Sequence, residues 1–232
     1  TRYGMGSIFE VMVILSLAGL VLTMTLPKAQ VSKRYNLSKK VISRTLSPEI
    51  KKINLMIFVI HLVLTSSFIA LPLMIKEVID AGGYDYWQIY APSVGLSFIT
   101  MVPFIIMAHK KSLEGHTRQI NIVFLVLTQL LFAYLETGYL PIVVTLLVFF
   151  TAFNSMESYL PAQIANDVDP NHKGLAMGIF TTHQFAGSFF GAVLGSFAYY
   201  VSGDIDIIFI VNSIILLILL TVIRIKTRIM YT

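Results

Sequence analysis

No cysteine occurs in the chain, which excludes a disulfide framework, a thiolate metal site and a cysteine nucleophile, and leaves the redox compartment open. Charge is the second scarcity. Only 12% of the 232 residues are Asp, Glu, Lys or Arg, against ~25% in a typical soluble domain. Enzyme signatures are missing too: there is no phosphate-cradling glycine loop, no HExxH helix and no GxSxG nucleophile turn. The chain is therefore not expected to be an enzyme, and nothing in it asks for a cofactor or a metal. His109 and His116 flank a short basic turn, where a solvated face accounts for them better than metal binding.

What is abundant is apolar sequence, at 56% of residues with a mean hydropathy of +0.78. It falls into runs that approach the ~20 residues needed to cross a bilayer as helix. Spans are expected at 7–26, 53–75, 89–108, 120–135, 140–160, 174–200 and 207–223. Lipid-exposed backbone must satisfy its own hydrogen bonds, so each should be a helix. The fold class is thus an all-α integral membrane protein of about seven transmembrane helices. Ile8 to Leu26 is longer than the ~7–15-residue apolar core of a signal peptide, and no small-x-small site follows it. Residue 1 is Thr and the first span begins almost at once, so a piece of a longer protein, or a processed product, is expected.

The few charges are partitioned. If 27–52 is cytoplasmic, alternation places 109–119, 161–173 and 224–232 on the same side, and these stretches hold fifteen of the seventeen Lys and Arg with four acids. The opposite loops, 76–88, 136–139 and 201–206, hold one Lys and six acids. That is the positive-inside bias, although 161–173 taken alone is neutral to acidic. The net charge of +5 therefore reports topology and contact with membrane lipids rather than nucleic acid. Segment 27–52 carries eight Lys and Arg, with Leu37, Val41, Ile42, Leu46 and Ile50 at helical spacing, so part of it can lie on the membrane surface. Ser47-Pro48-Glu49 reads as a cap, a proline at the first helical position and an acid in the first turn, so a helix should start near Pro48. The domains are a single helix over 1–26, a basic cytoplasmic linker over 27–52 and a six-helix bundle over 53–232.

Ionisable groups inside spans are costly and default to functional candidates. Glu10 lies near the outer end of the first span and reads as interfacial. His61 lies about 12 Å into the second span, heading a face with Thr65, Phe68 and Pro72. Glu157 lies late in the fifth, on a face with Phe150, Asn154 and Pro161, about 6 Å short of the inner boundary. Low dielectric penalises the charged form of each, which makes proton exchange near neutral pH accessible. A helix-to-helix hydrogen bond for His61 and a snorkelling side chain for Glu157 are the plainer accounts. Gly187, Gly191 and Gly195 recur every four residues, the spacing that lets helices pack closely in lipid. Thr181, His183, Gln184 and Ser188 lie beside them and make that helix unusually polar. The last span offers only Asn212, Ser213 and Thr221 as polar groups and is expected to face lipid.

His172-Lys173-Gly174-Leu175-Ala176-Met177-Gly178-Ile179, with Gln184-Phe185-Ala186-Gly187 and Gly191 to Gly195, resembles the eleventh helix of major facilitator superfamily transporters. Ala152-Phe153-Asn154-Ser155-Met156-Glu157, with Leu160-Pro161, resembles the tenth helix of the YajR-like branch of drug–proton antiporters. His61-Leu62 with Phe68-Ile69-Ala70-Leu71-Pro72 is similar to the seventh helix of that branch, and Val102-Pro103-Phe104-Ile105-Ile106 to the end of the eighth. The resemblance covers about 53–200. It implies that the spans are helix six and the C-terminal six-helix bundle, in a cell inner membrane with linker and C-terminus cytoplasmic. It also implies proton-coupled efflux by alternating access, with small-molecule substrate held between two halves. Glu157 and His61 are then the proton-coupling candidates, and Thr65, Phe68, Phe153, Asn154 and Gln184 the cavity candidates. An N-terminal six-helix half would be required as partner. The loop after Met107 departs from the family's gating motif, keeping only Lys110, Lys111 and Arg118. Two rival classes fit the composition: a seven-helix receptor or sensor, and a structural membrane subunit. A retinal protein does not fit, because 207–223 contains no Lys.

Overall fold

The computed structural model describes residues 5–26, 45–134 and 138–229. The chain divides into two units, Thr1–Asn36 and Leu37–Thr232. In the first, α1 runs over Met5–Met24. Twenty residues at 1.5 Å rise make about 30 Å, the thickness of a bilayer core. Phe9, Ile14, Leu17, Val21 and Met24 are all exposed, so α1 is apolar on every side. The expected surface helix in 27–52 falls largely outside the described residues.

In the second unit, α2 spans Pro48–Gly82. Its start is built as the sequence requires: the Ser47 hydroxyl accepts from the Ile50 amide at 3.3 Å, and Pro48 needs no donor at that position. It ends at Gly83 in the left-handed region (φ 68°), whose N–H returns to the Ile79 carbonyl at 2.9 Å. α3 (Tyr86–Thr100) and α4 (Val102–His109) form one crossing interrupted at Met101, next to Pro103, which has no N–H to continue the ladder. α5 (Glu114–Tyr134), α6 (Tyr139–Asp167), α7 (Lys173–Ser202) and α8 (Asp206–Ile229) complete the bundle, with a 3₁₀ turn at Pro170–His172. Six of these crossings are long and apolar enough to span a membrane, and no strand occurs among the described residues.

The helices outrun the apolar runs that announce them. α6 continues through Pro161 to Asp167, so most of the expected 161–173 loop is helix and only a short turn remains. Polar residues at helix ends can stay helical beyond the hydrocarbon, which a hydropathy boundary does not register.

α2 is the hub, packing on α7, α8 and α6, while α5 packs on α8 and α6, and α3 on α6. The glycine stripe does what its spacing suggests. A Cβ on Gly187 would fall on the Phe58 carbonyl oxygen, and one on Gly191 on the Leu62 carbonyl oxygen; one on Gly195 would stand 2.9 Å from the Ser66 oxygen. The matched order of these contacts shows that α2 and α7 run parallel. The expectation for the last helix is corrected. One face of α8 is buried, with Ile208, Phe209, Asn212, Ser213 and Leu216 inside, while Ile214, Leu217 and Ile218 point out. Asn212 explains the burial: its amide donates to Ser67 Oγ and to Gln129 Oε1, both at 3.1 Å, tying α8 to α2 and α5. At the end of the bundle where α2 begins, Arg118 on α5 reaches Glu49 at 2.6 Å and Glu114 at 3.3 Å, and Lys52 pairs with Glu49 at 3.0 Å.

A candidate proton site between three helices

Thirteen residues separate the start of α2 from His61, about 20 Å of helix. Glu157 lies ten residues before the end of α6, and Gln184 eleven residues after the start of α7, about 15 Å and about 16 Å respectively. All three therefore reach similar depth, well inside the bundle.

They meet there. Gln184 Nε2 donates to Glu157 Oε1 at 2.8 Å and lies 3.0 Å from His61 Nε2. Glu157 Oε2 has no hydrogen-bond partner and stands 3.5 Å from the same imidazole nitrogen. On its other side the ring is held by the Ile57 carbonyl, 3.1 Å from Nδ1, one turn earlier on α2. Phe153 packs against it edge-on at 5.3 Å. The imidazole is nearly closed off at 9% exposure, whereas the Glu157 side chain keeps 35% of its surface accessible. The proton donor–acceptor pair is thus enclosed, with Glu157 Oε2 itself buried beside the imidazole.

The remaining cavity candidates divide. Thr65 lies one turn along α2 from His61, and its hydroxyl donates to the His61 carbonyl at 2.7 Å and to the Ser188 carbonyl on α7 at 2.9 Å. Phe68 is partly exposed, its ring 6.5 Å from that of Phe150. Asn154 is turned elsewhere: its amide donates to Ser97 Oγ on α3 at 2.9 Å, beside the Thr100–Thr151 hydroxyl pair at 2.5 Å. It belongs to the α3–α6 contact. Glu10 is exposed on α1. Among the described residues no group of three metal-ligating side chains forms a metal site.

Sequence reasoning did not foresee the Ser67–Gln129–Asn212 node, the Asn121–Ser155 bond at 2.7 Å or the Arg118–Glu49 tie. The signal was present. Gln129 and Asn121 are amides within an apolar run, which is the reason that singled out His61.

Comparison with known proteins bears on this geometry. The chain is 30% identical over 201 residues to the inner membrane transport protein YajR of Escherichia coli (strain K12), covering 84% of this chain and 44% of that protein. Over most of its length the chain is similar to the YajR-like transporters. It is 27% identical over 156 residues to an uncharacterized transporter of Buchnera aphidicola subsp. Acyrthosiphon pisum, covering 66% of this chain and 39% of that one. A second uncharacterized transporter, from Buchnera aphidicola subsp. Baizongia pistaciae, is 28% identical over 159 residues, covering 68% and 40%. No family model matches the chain. The chain spans less than half the length of the curated relatives it matches. It is a multi-pass membrane protein, and its relatives carry the names of transporters rather than of enzymes.

Proposed function

We propose that this chain is the sixth helix and C-terminal six-helix bundle of a major facilitator superfamily antiporter, which exports small molecules by alternating access against an inward flow of protons. Glu157 is the proton carrier and His61 its titrating neighbour. Thr65, Phe68, Phe153 and Gln184 border the substrate path between this bundle and an N-terminal six-helix half. Residues 27–52 and the C-terminus lie in the cytoplasm, and the membrane is the inner membrane. One observation carries the reading: an unpartnered carboxylate oxygen lies 3.5 Å from an imidazole deep among apolar helices. Ionisable groups are expensive there and mark ion and proton paths.

The test is Glu157→Gln in the full-length transporter. Proton-driven substrate movement should be lost, while folding and downhill substrate exchange persist, because only the titratable oxygen is removed. Normal dependence on the proton gradient in this variant would move the role to another carboxylate.

A further inference from the structure

We propose that Gln184 is the positioning residue that converts a proton on the His61–Glu157 pair into release of α7 from α2; this rests on the proton-coupled reading above. Hydrogen-bond polarity carries the inference. A carbonyl only accepts, so His61 Nδ1, 3.1 Å from the Ile57 oxygen, bears its hydrogen. An amide nitrogen only donates, so His61 Nε2, 3.0 Å from Gln184 Nε2, is an acceptor without a hydrogen. The second amide hydrogen goes to Glu157 Oε1 at 2.8 Å. The arrangement is that of a neutral imidazole.

A proton arriving at His61 Nε2 has Glu157 Oε2 in reach at 3.5 Å. The new N–H then occupies the direction from which Gln184 donated, and the ring nitrogen has no lone pair left to accept. If the proton sits on Glu157 Oε2 instead, its O–H donates to Nε2 and displaces the amide just the same. The pair titrates as one unit, and either placement breaks the same bond. Gln184 keeps its bond to Glu157 on α6 and loses its bond to α2.

The position of that bond gives it leverage. Among the described residues, α2 and α7 share two hydrogen bonds, Gln184–His61 and Thr65–Ser188. The glycine contacts at Gly187, Gly191 and Gly195 all lie beyond Gln184, whereas Gly174 and Gly178 before it have open space around them. Losing the Gln184–His61 bond therefore removes the hydrogen bond that ties α7 to α2 ahead of the glycine seam, leaving that end of α7 held by the apolar packing of Ala176 and Phe180. No other charged group crowds the site: α6 brings Glu157, α7 brings His183 with Nδ1 on the Ile179 carbonyl, and α2 has no Asp, Glu, Lys or Arg between Lys52 and Lys76.

The absence of native cysteine makes the experiment direct. Spin labels at Lys51→Cys and Lys173→Cys, both exposed positions on α2 and α7, report the separation of the two helices in the full chain in lipid nanodiscs. Between about pH 9 and about pH 5 the mean distance should shift by about 1–2 Å, the scale of helix displacements at packed interfaces. Gln184→Met, which keeps volume and removes the donor, should abolish the shift while His61 still titrates by imidazole nitrogen NMR. Should that variant not fold, Gln184→Asn, one methylene too short to reach both partners, should give the same loss. A shift retained in these variants, or absent from the native sequence although His61 titrates, overturns the proposal. If neither the His61 imidazole nor the Glu157 carboxyl titrates across this range, the proton-coupled reading itself is removed.

Discussion

The α2–α7 seam can be tested one methyl group at a time. Gly191→Ala places a Cβ on the Leu62 carbonyl oxygen and 2.8 Å from its carbon, against backbone that cannot swing aside. Restoring ordinary contact requires the helices to part by up to about 1 Å. Overpacking of this kind costs about 1–3 kcal/mol. The same parting stretches the Thr65–Ser188 bond from 2.9 Å past its useful range, adding about 0.6 kcal/mol, the average for an interhelical hydrogen bond in a membrane protein. Helix propensity favours alanine over glycine by about 1 kcal/mol, which offsets part of the loss. A net destabilisation of about 1–3 kcal/mol is expected for Gly191→Ala and for Gly187→Ala, whose Cβ would fall on the Phe58 carbonyl. Gly195→Ala should cost less, because its contacts with Ser66 begin at 2.9 Å. Gly178→Ala is the control: it has open space, so it should be neutral or stabilising by up to about 1 kcal/mol. Reversible unfolding in detergent or bicelles ranks the four variants. If Gly191→Ala is as harmless as Gly178→Ala, the close approach of α2 and α7 is wrong, and with it the setting of Gln184.

Two further outcomes check other parts of the structure. Asn212→Leu removes two buried bonds, to Ser67 and Gln129, and should lower stability by about 1 kcal/mol; paired with Gln129→Leu the cost should be less than additive, and strict additivity would show that the node does not act as one. A single cysteine placed in 27–52 should resist an impermeant thiol reagent added outside intact cells, while one at Asp204 should react; the opposite pattern inverts the membrane orientation drawn from the partition of Lys and Arg.

The sequence by itself determined the class, the crossings, the α2 cap at Ser47-Pro48 and the glycine seam. Each follows from a local rule: apolar runs of bilayer length must be helices, a hydroxyl before proline starts one, and small residues every fourth position mark a close contact. It also brought out His61 and Glu157, because ionisable groups are rare enough in apolar runs to be conspicuous. Tertiary structure alone decided which faces point inward. Lipid and protein core are equally apolar, so hydrophobicity does not distinguish the buried side of α8 from its exposed side, and there the inward face is marked by Asn212 bonding to Ser67 and Gln129. Gln184 was conspicuous as a polar residue, but its partners were not legible. It stands 123 residues from His61 and 27 from Glu157, and only the rotation of α7 about its glycine contacts with α2 brings one amide nitrogen to both.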